Sequence, residues 1–193
     1  MVQPIVEDSA DSILREMELA NYGEHDLLIY PNLDVLTKVY SQYIKSRLQA
    51  NMELILFLST YQSVNQVRDI LKNADMDLEG YEENGSLVIL DSTRGYFGSE
   101  SDILLLVKVL SKRAQNQGRV GSSIFANMGL LDLYKEKDLL RYESSMPPKF
   151  DGHAKNPIMC KTFCIYHQSD FNMLSETEKA SLFDHHYKNL IVT

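Results

Sequence analysis

Short, continuous apolar runs alternate along this chain with longer segments in which apolar residues return every three or four positions. The runs include LLIY (Leu27–Tyr30), LILFL (Leu54–Leu58) and LVIL (Leu87–Leu90). A run with no polar face predicts a strand buried on both sides, as in a parallel sheet covered by helices. On this basis strands are expected at His25–Tyr30, Glu53–Ser59, Leu87–Asp91, Arg119–Phe125 and Met159–His167, with a short last strand at Asn189–Thr193. Helical periodicity predicts Leu33–Gln49, with Leu36, Val39, Tyr40, Tyr43, Ile44 and Leu48 on one stripe. Further helices are expected at Asp8–Ala20, Gln62–Asn73, Asp77–Glu83, Asp102–Gln117, Leu130–Ser145 and Ser175–His186. Strict alternation of strand and helix calls for an α/β fold of three layers, helices on both faces of a mostly parallel central sheet. Residues 1–22 read as an N-terminal helical appendage, and 23–193 as one domain. The first helix is expected to dock back on the core.

Ligands of such sheets bind beyond the carboxyl ends of the strands. That rule nominates Pro31 and Asn32 after the first strand, Ser59 and Thr60 after the second, and Asp91, Thr93, Arg94 and Tyr96 after the third. Asn127 follows the fourth and His167 ends the fifth. An acid, a guanidinium and aromatics at a strand mouth suit a small anionic or planar ligand, so the loop from Asp91 is the best single candidate. The first strand, tight loop and helix resemble the start of a nucleotide-binding domain. Yet Pro31-Asn32 offers no glycine and no Gly-Lys-Ser/Thr to wrap a phosphate.

Composition narrows the functional classes. The chain has 193 residues and a net charge of −8, with 19 basic against 27 acidic side chains. No cationic stripe stands out, so direct nucleic-acid binding is disfavoured. No apolar run approaches the roughly 18 residues of a membrane span, and the acidic start does not resemble a signal peptide. A cytoplasmic protein is expected. Cys160 and Cys164 would face one side of a strand about 13 Å apart, too far to bridge. They read as buried free thiols. Adding His167 gives a C-x3-C-x2-H spacing, but a strand turns His167 to the opposite face, so no metal is assigned. His25 reads as a histidine at the start of a strand, bonded to backbone, with a switch role as the alternative. His167 and Asp170 read as polar rim groups. Tyr142-Glu143 reads as helix packing. His185-His186 are adjacent on a helix, so their rings point different ways and cannot chelate as an i,i+4 pair would.

The ordered segments GEHDLLIY (Gly23–Tyr30), ELILFLS, GSLVILDSTRGYF (Gly85–Phe97), RVGSSIFANMGLL (Arg119–Leu131), LLRYE, FCIYHQSDF (Phe163–Phe171) and FDHHYKNLIV (Phe183–Val192) resemble the MEDS family. This is the sensory domain of methanogen and methylotroph proteins and of a dichloromethane-responsive repressor. The resemblance covers about residues 23–192. It implies a RecA/KaiC-like fold that has lost its phosphate loop. RVGSSIFANMG offers no acidic residue where a Walker B aspartate would hold magnesium, and FLSTYQS lacks the catalytic glutamates of the KaiC pattern. Without those parts phosphoryl transfer is not expected.

The resemblance implies a non-enzymatic sensor without cofactor. It would bind a small organic ligand or a signalling protein, a kinase or regulator, and signal through another chain. RecA-type relatives assemble side by side, which admits a homo-oligomer. Two alternatives stay open: a degenerate KaiC-like protein that binds nucleotide without hydrolysis, and a pure assembly module.

Overall fold

The computed structural model describes residues 4–92, 103–129 and 158–193. Seven strands form one sheet: β1 (Ile5–Glu7), β2 (His25–Tyr30), β3 (Glu53–Ser59), β4 (Leu87–Asp91), β5 (Gly121–Asn127), β6 (Cys160–His167) and β7 (Asn189–Val192). Their spatial order is β1-β7-β2-β6-β5-β3-β4, and every pairing is parallel. The described helices are α1 (Ala10–Leu19), α2 (Leu33–Gln49), α3 (Val64–Asn73), α4 (Leu78–Glu83), α5 (Ile103–Asn116), α6 (Gln168–Met173) and α7 (Glu176–His185).

Two of the three apolar runs bury both faces: every residue of β2 and β3 is buried, as is every residue of β5, whereas β4, at the sheet edge, leaves Val88 half-buried and Leu90 exposed. One side of the sheet (Leu28, Ile55, Phe57, Phe125, Phe163 and Ile165) packs against α1, α2, α3 and α4. The other (Leu27, Ile29, Leu56, Ile124, Cys164 and Tyr166) packs against α5, α6 and α7. This is the expected three-layer α/β arrangement. Helix starts are fixed by side chains that satisfy otherwise orphaned N–H groups. Asn32 Oδ1 accepts from Val35 N at 3.0 Å to start α2, and capping boxes start α3 (Ser63, Gln66) and α7 (Ser175, Glu178).

Three local features differ from the sequence reading. Ile5–Glu7 is an edge strand paired with β7, so residues 1–22 supply a strand as well as a helix, and Ile13 and Met17 of α1 are fully buried. The fourth expected strand runs Gly121–Asn127 rather than Arg119–Phe125, because it pairs as far as Asn127↔Ile165. Residues 168–173, to which the sequence reading assigned no element, form the short helix α6. The expected helix Leu130–Ser145, with Tyr142 and Glu143, lies outside the described residues.

Candidate functional site

Neighbouring strands β2 and β6 send the chain to opposite faces of the sheet, β2 into α2 and β6 into α6 and α7. In parallel sheets such a divergence is where ligands sit, in a crevice outside the strands' carboxyl ends. Tyr30 and His167 stand opposite each other there in register. Their rings meet edge to face with centroids 5.2 Å apart, and the Tyr61 ring lies 5.8 Å from His167. Gly129 lets Tyr61 sit so close, since a Cβ there would overlap its ring.

Tyr30 is fully buried, and its Oη has no hydrogen-bond partner among the described residues. Burial raises its pKa, the approaching Asn127 side chain opposes that rise without reaching full hydrogen-bond geometry, and the Asp170 charge adds to it. Asn127 Oδ1 accepts instead from Gly129 N at 3.2 Å.

His167 Nδ1 accepts from Ser169 N at 3.1 Å, capping α6, and lies 2.6 Å from Ser169 Oγ. Ser169 Oγ donates to Asp170 Oδ1 at 3.3 Å. The serine therefore stands between the acid and the imidazole. In a hydrolytic triad the imidazole stands between acid and serine, with its Nδ1–H held by the acid. Here Nδ1 accepts from the Ser169 backbone N–H, so the imidazole caps α6, and the acid contacts the serine rather than the imidazole. Burial raises the Asp170 pKa.

The other nominated residues divide into two groups. Thr60 Oγ1 lies 2.6 Å from Ser92 Oγ and donates to the Asn127 carbonyl at 3.0 Å, while Ser59 Oγ donates to the Gln62 carbonyl. These hydroxyls stitch the ends of β3, β4 and β5 together. Pro31 is half-buried, and Asn32 is exposed and committed to its cap. Asp91 is half-buried at the end of β4. Thr93, Arg94 and Tyr96 lie outside the described residues. Pro31, Asn32, Asn127 and His167 thus meet around the β2–β6 crevice, and Ser59 and Thr60 form its β3 flank. A separate open cleft of about 420 Å³ is lined wholly by α3 and α4 residues, including the Arg68–Glu82 pair at 2.8 Å.

Two buried polar clusters were not foreseen. The first surrounds Glu53, at the amino end of β3 and 0% exposed. Its Oε2 accepts from Ser123 Oγ at 2.6 Å and Tyr43 Oη at 3.2 Å, and its Oε1 accepts from Tyr22 Oη at 2.8 Å. Lys161 Nζ lies 3.4 Å and Arg47 Nε 4.0 Å away. Burial lowers the Lys161 pKa, and the Glu53 charge opposes that shift.

The second joins His25, Cys164 and His186. His25 Nε2 lies 2.8 Å from Cys164 Sγ, so the histidine side chain meets a thiol rather than the expected backbone group. Burial, then the neighbouring histidines, hold the His25 pKa well below its usual value, leaving the ring neutral. The His186 ring packs on His25 with centroids 4.4 Å apart, and His185 at 5.4 Å. Helix α7 ends at His185, and His186 is an extended C-cap, so adjacent residues flank the same ring. The only sequence signals for this cluster were the HH pair and a histidine opening a strand.

Among the described residues, no helix is long and apolar enough to cross a membrane. A search of curated proteins returns no match. The family model described as MEthanogen/methylotroph, DcmR Sensory domain (MEDS) matches residues 24–186, from just before β2 to the C-cap of α7. The matched span contains both the crevice and the histidine–cysteine cluster, and the chain belongs to the MEDS family of sensory domains.

Proposed function

We propose that this chain is a non-catalytic sensory domain that takes a small organic molecule into the β2–β6 crevice and signals through another chain. The observation that carries this reading is the Tyr30 hydroxyl, buried at the strand ends without a hydrogen-bond partner among the described residues. An unsatisfied buried hydroxyl costs about 1–3 kcal/mol, and a ligand with a polar group would recover that cost. The Tyr30, Tyr61 and His167 rings supply apolar walls with polar edges, a composition suited to small organic ligands.

Catalysis is not part of the proposal. His167 is committed to a helix cap, and the Pro31-Asn32 turn has no glycine to admit a phosphate. Descent from RecA- and KaiC-type ATPases is part of it, supported by the parallel sheet and by the place of that turn directly after β2.

A thermal-shift screen with dichloromethane, methanol, methylamine and ATP tests the reading. A ligand at 100 times its dissociation constant stabilises by about 2.7 kcal/mol. One of the organic probes should therefore raise Tm by several degrees in the native chain and by clearly less in Tyr30→Phe. A saturable response to ATP alone would move the reading to nucleotide binding. Flat responses to all four probes would favour a protein partner.

A further inference from the structure

A soft donor set stands apart from the crevice, on the sheet face covered by α7. It comes from three elements: His25 opens β2, Cys164 lies within β6, and His186 follows α7. All three are buried, with His25 and Cys164 at 0% and His186 at 1% exposure. One donor atom from each lies within 4.8 Å of the other two. We propose that His25, Cys164 and His186 bind a single soft or borderline transition-metal ion, zinc(II) or copper(I).

Three observations support the site. First, His186 Nδ1 lies 2.7 Å from the Leu182 carbonyl. A carbonyl only accepts, so Nδ1 carries the hydrogen and Nε2 presents its lone pair. Metal-bound histidines are held in this way, with the other ring N–H given to a carbonyl or carboxylate. Second, the spacing is near what an ion needs. With metal–nitrogen and metal–sulfur bonds of about 2.0 and 2.3 Å, tetrahedral nitrogen–sulfur separations are about 3.5 Å. The present separations run from 2.8 Å for His25 Nε2–Cys164 Sγ up to at most 4.8 Å. Shifts of about 1 Å bring all three onto one ion. Third, β2 and β6 are hydrogen-bonded neighbours, with Leu27 opposite Cys164, so two of the donors sit on a rigid frame.

The chemistry selects the ion. One thiolate and two imidazoles, with no carboxylate among the three, suit zinc(II) or copper(I) and not magnesium or calcium. Binding releases the Cys164 thiol proton to solvent as the sulfur–metal bond forms. Three protein donors leave a further position open on zinc, as in ligand-accepting rather than purely structural sites.

The test uses the reduced 193-residue chain, stripped with chelator. Cobalt(II) replaces zinc as the spectroscopic probe, and a copper(I) chelator competition forms the second arm. The expected result is one ion per chain and a near-ultraviolet thiolate-to-cobalt band. Cys164→Ser should abolish that band, whereas Cys160→Ser, which changes the other buried thiol, should keep it. His186→Gln should weaken binding roughly tenfold or more. A folded Cys164→Ala chain, checked by circular dichroism, that still binds cobalt as tightly as the native chain would overturn the proposal. So would native protein that takes up neither ion. Tight binding in the copper arm alone would assign copper(I), and a cobalt band displaced by zinc would assign zinc(II).

Discussion

Tyr30→Phe removes one buried oxygen and leaves the ring in place. The Tyr30 ring packs against His167 at 5.2 Å and is fully buried in the helix-covered core. In most cores such a substitution costs stability, because a hydroxyl leaves a partner behind. Here Oη has no hydrogen-bond partner among the described residues, and the oxygen of the nearby Asn127 amide accepts from Gly129 N. Removing an unsatisfied hydroxyl returns part of its desolvation cost of about 1–3 kcal/mol. The expected change is a stabilisation of about 1 kcal/mol, or a Tm rise of roughly 2–4 °C for a chain of this size. Urea unfolding followed by far-ultraviolet circular dichroism measures it, and an unchanged m-value shows that the unfolded state is comparable. A loss of more than about 1 kcal/mol would mean instead that Oη is hydrogen-bonded in the native protein. A variant that is more stable but binds ligand worse would identify Tyr30 as a residue kept for function at the expense of stability.

Other parts of the structure make equally definite predictions. Glu53→Gln and Lys161→Met each break a buried ion pair, and each should cost about 3 kcal/mol, with the double variant losing less than the sum; additive losses under about 1 kcal/mol each in urea titrations would contradict the pairing. Burial pushes the Cys160 thiol up to about 11. The unfolded thiol ionises first as pH rises past its ordinary value near 9, so Cys160 contributes stability below that point that is lost toward pH 11. Cys160→Ala should flatten that part of the stability–pH curve. Asn32→Ala removes the cap of α2 and should cost about 1 kcal/mol in the same unfolding assay.

What was legible in the sequence follows from how local each signal is. The strands β2, β3 and β4 announce themselves as apolar runs, and α2 announces itself by its stripe and by Asn32 at its start. The strand-end rule put Pro31, Asn32, Asn127 and His167 on the same edge of the sheet as Ser59, Thr60 and Asp91, and only the strand order brings the first four together. The strand β1 was not legible. Three residues carry no period, and Ile5–Glu7 is ordered by pairing with β7 at the far end of the chain. The His25–Cys164 contact joins residues 139 apart in sequence and depends on β2 lying beside β6. Adjacent strand order is a property of the whole sheet, so the cysteine spacing could not reveal it. Glu53 was hidden for a related reason. A glutamate opening a strand reads as a solvated end, and only the folded sheet brings Tyr22, Tyr43, Ser123 and Lys161 around it.

The proposed binding of a small organic molecule where β2 and β6 part is tested most directly by a backbone-amide NMR titration of the native chain with the probe that gives the largest thermal shift. Saturable shift changes concentrated at Asn32, Asn127, His167 and Gln168, and weakened by Tyr30→Phe, are expected. Changes confined to the α3–α4 cleft around Arg68 and Glu82, or changes indifferent to Tyr30→Phe, would contradict it.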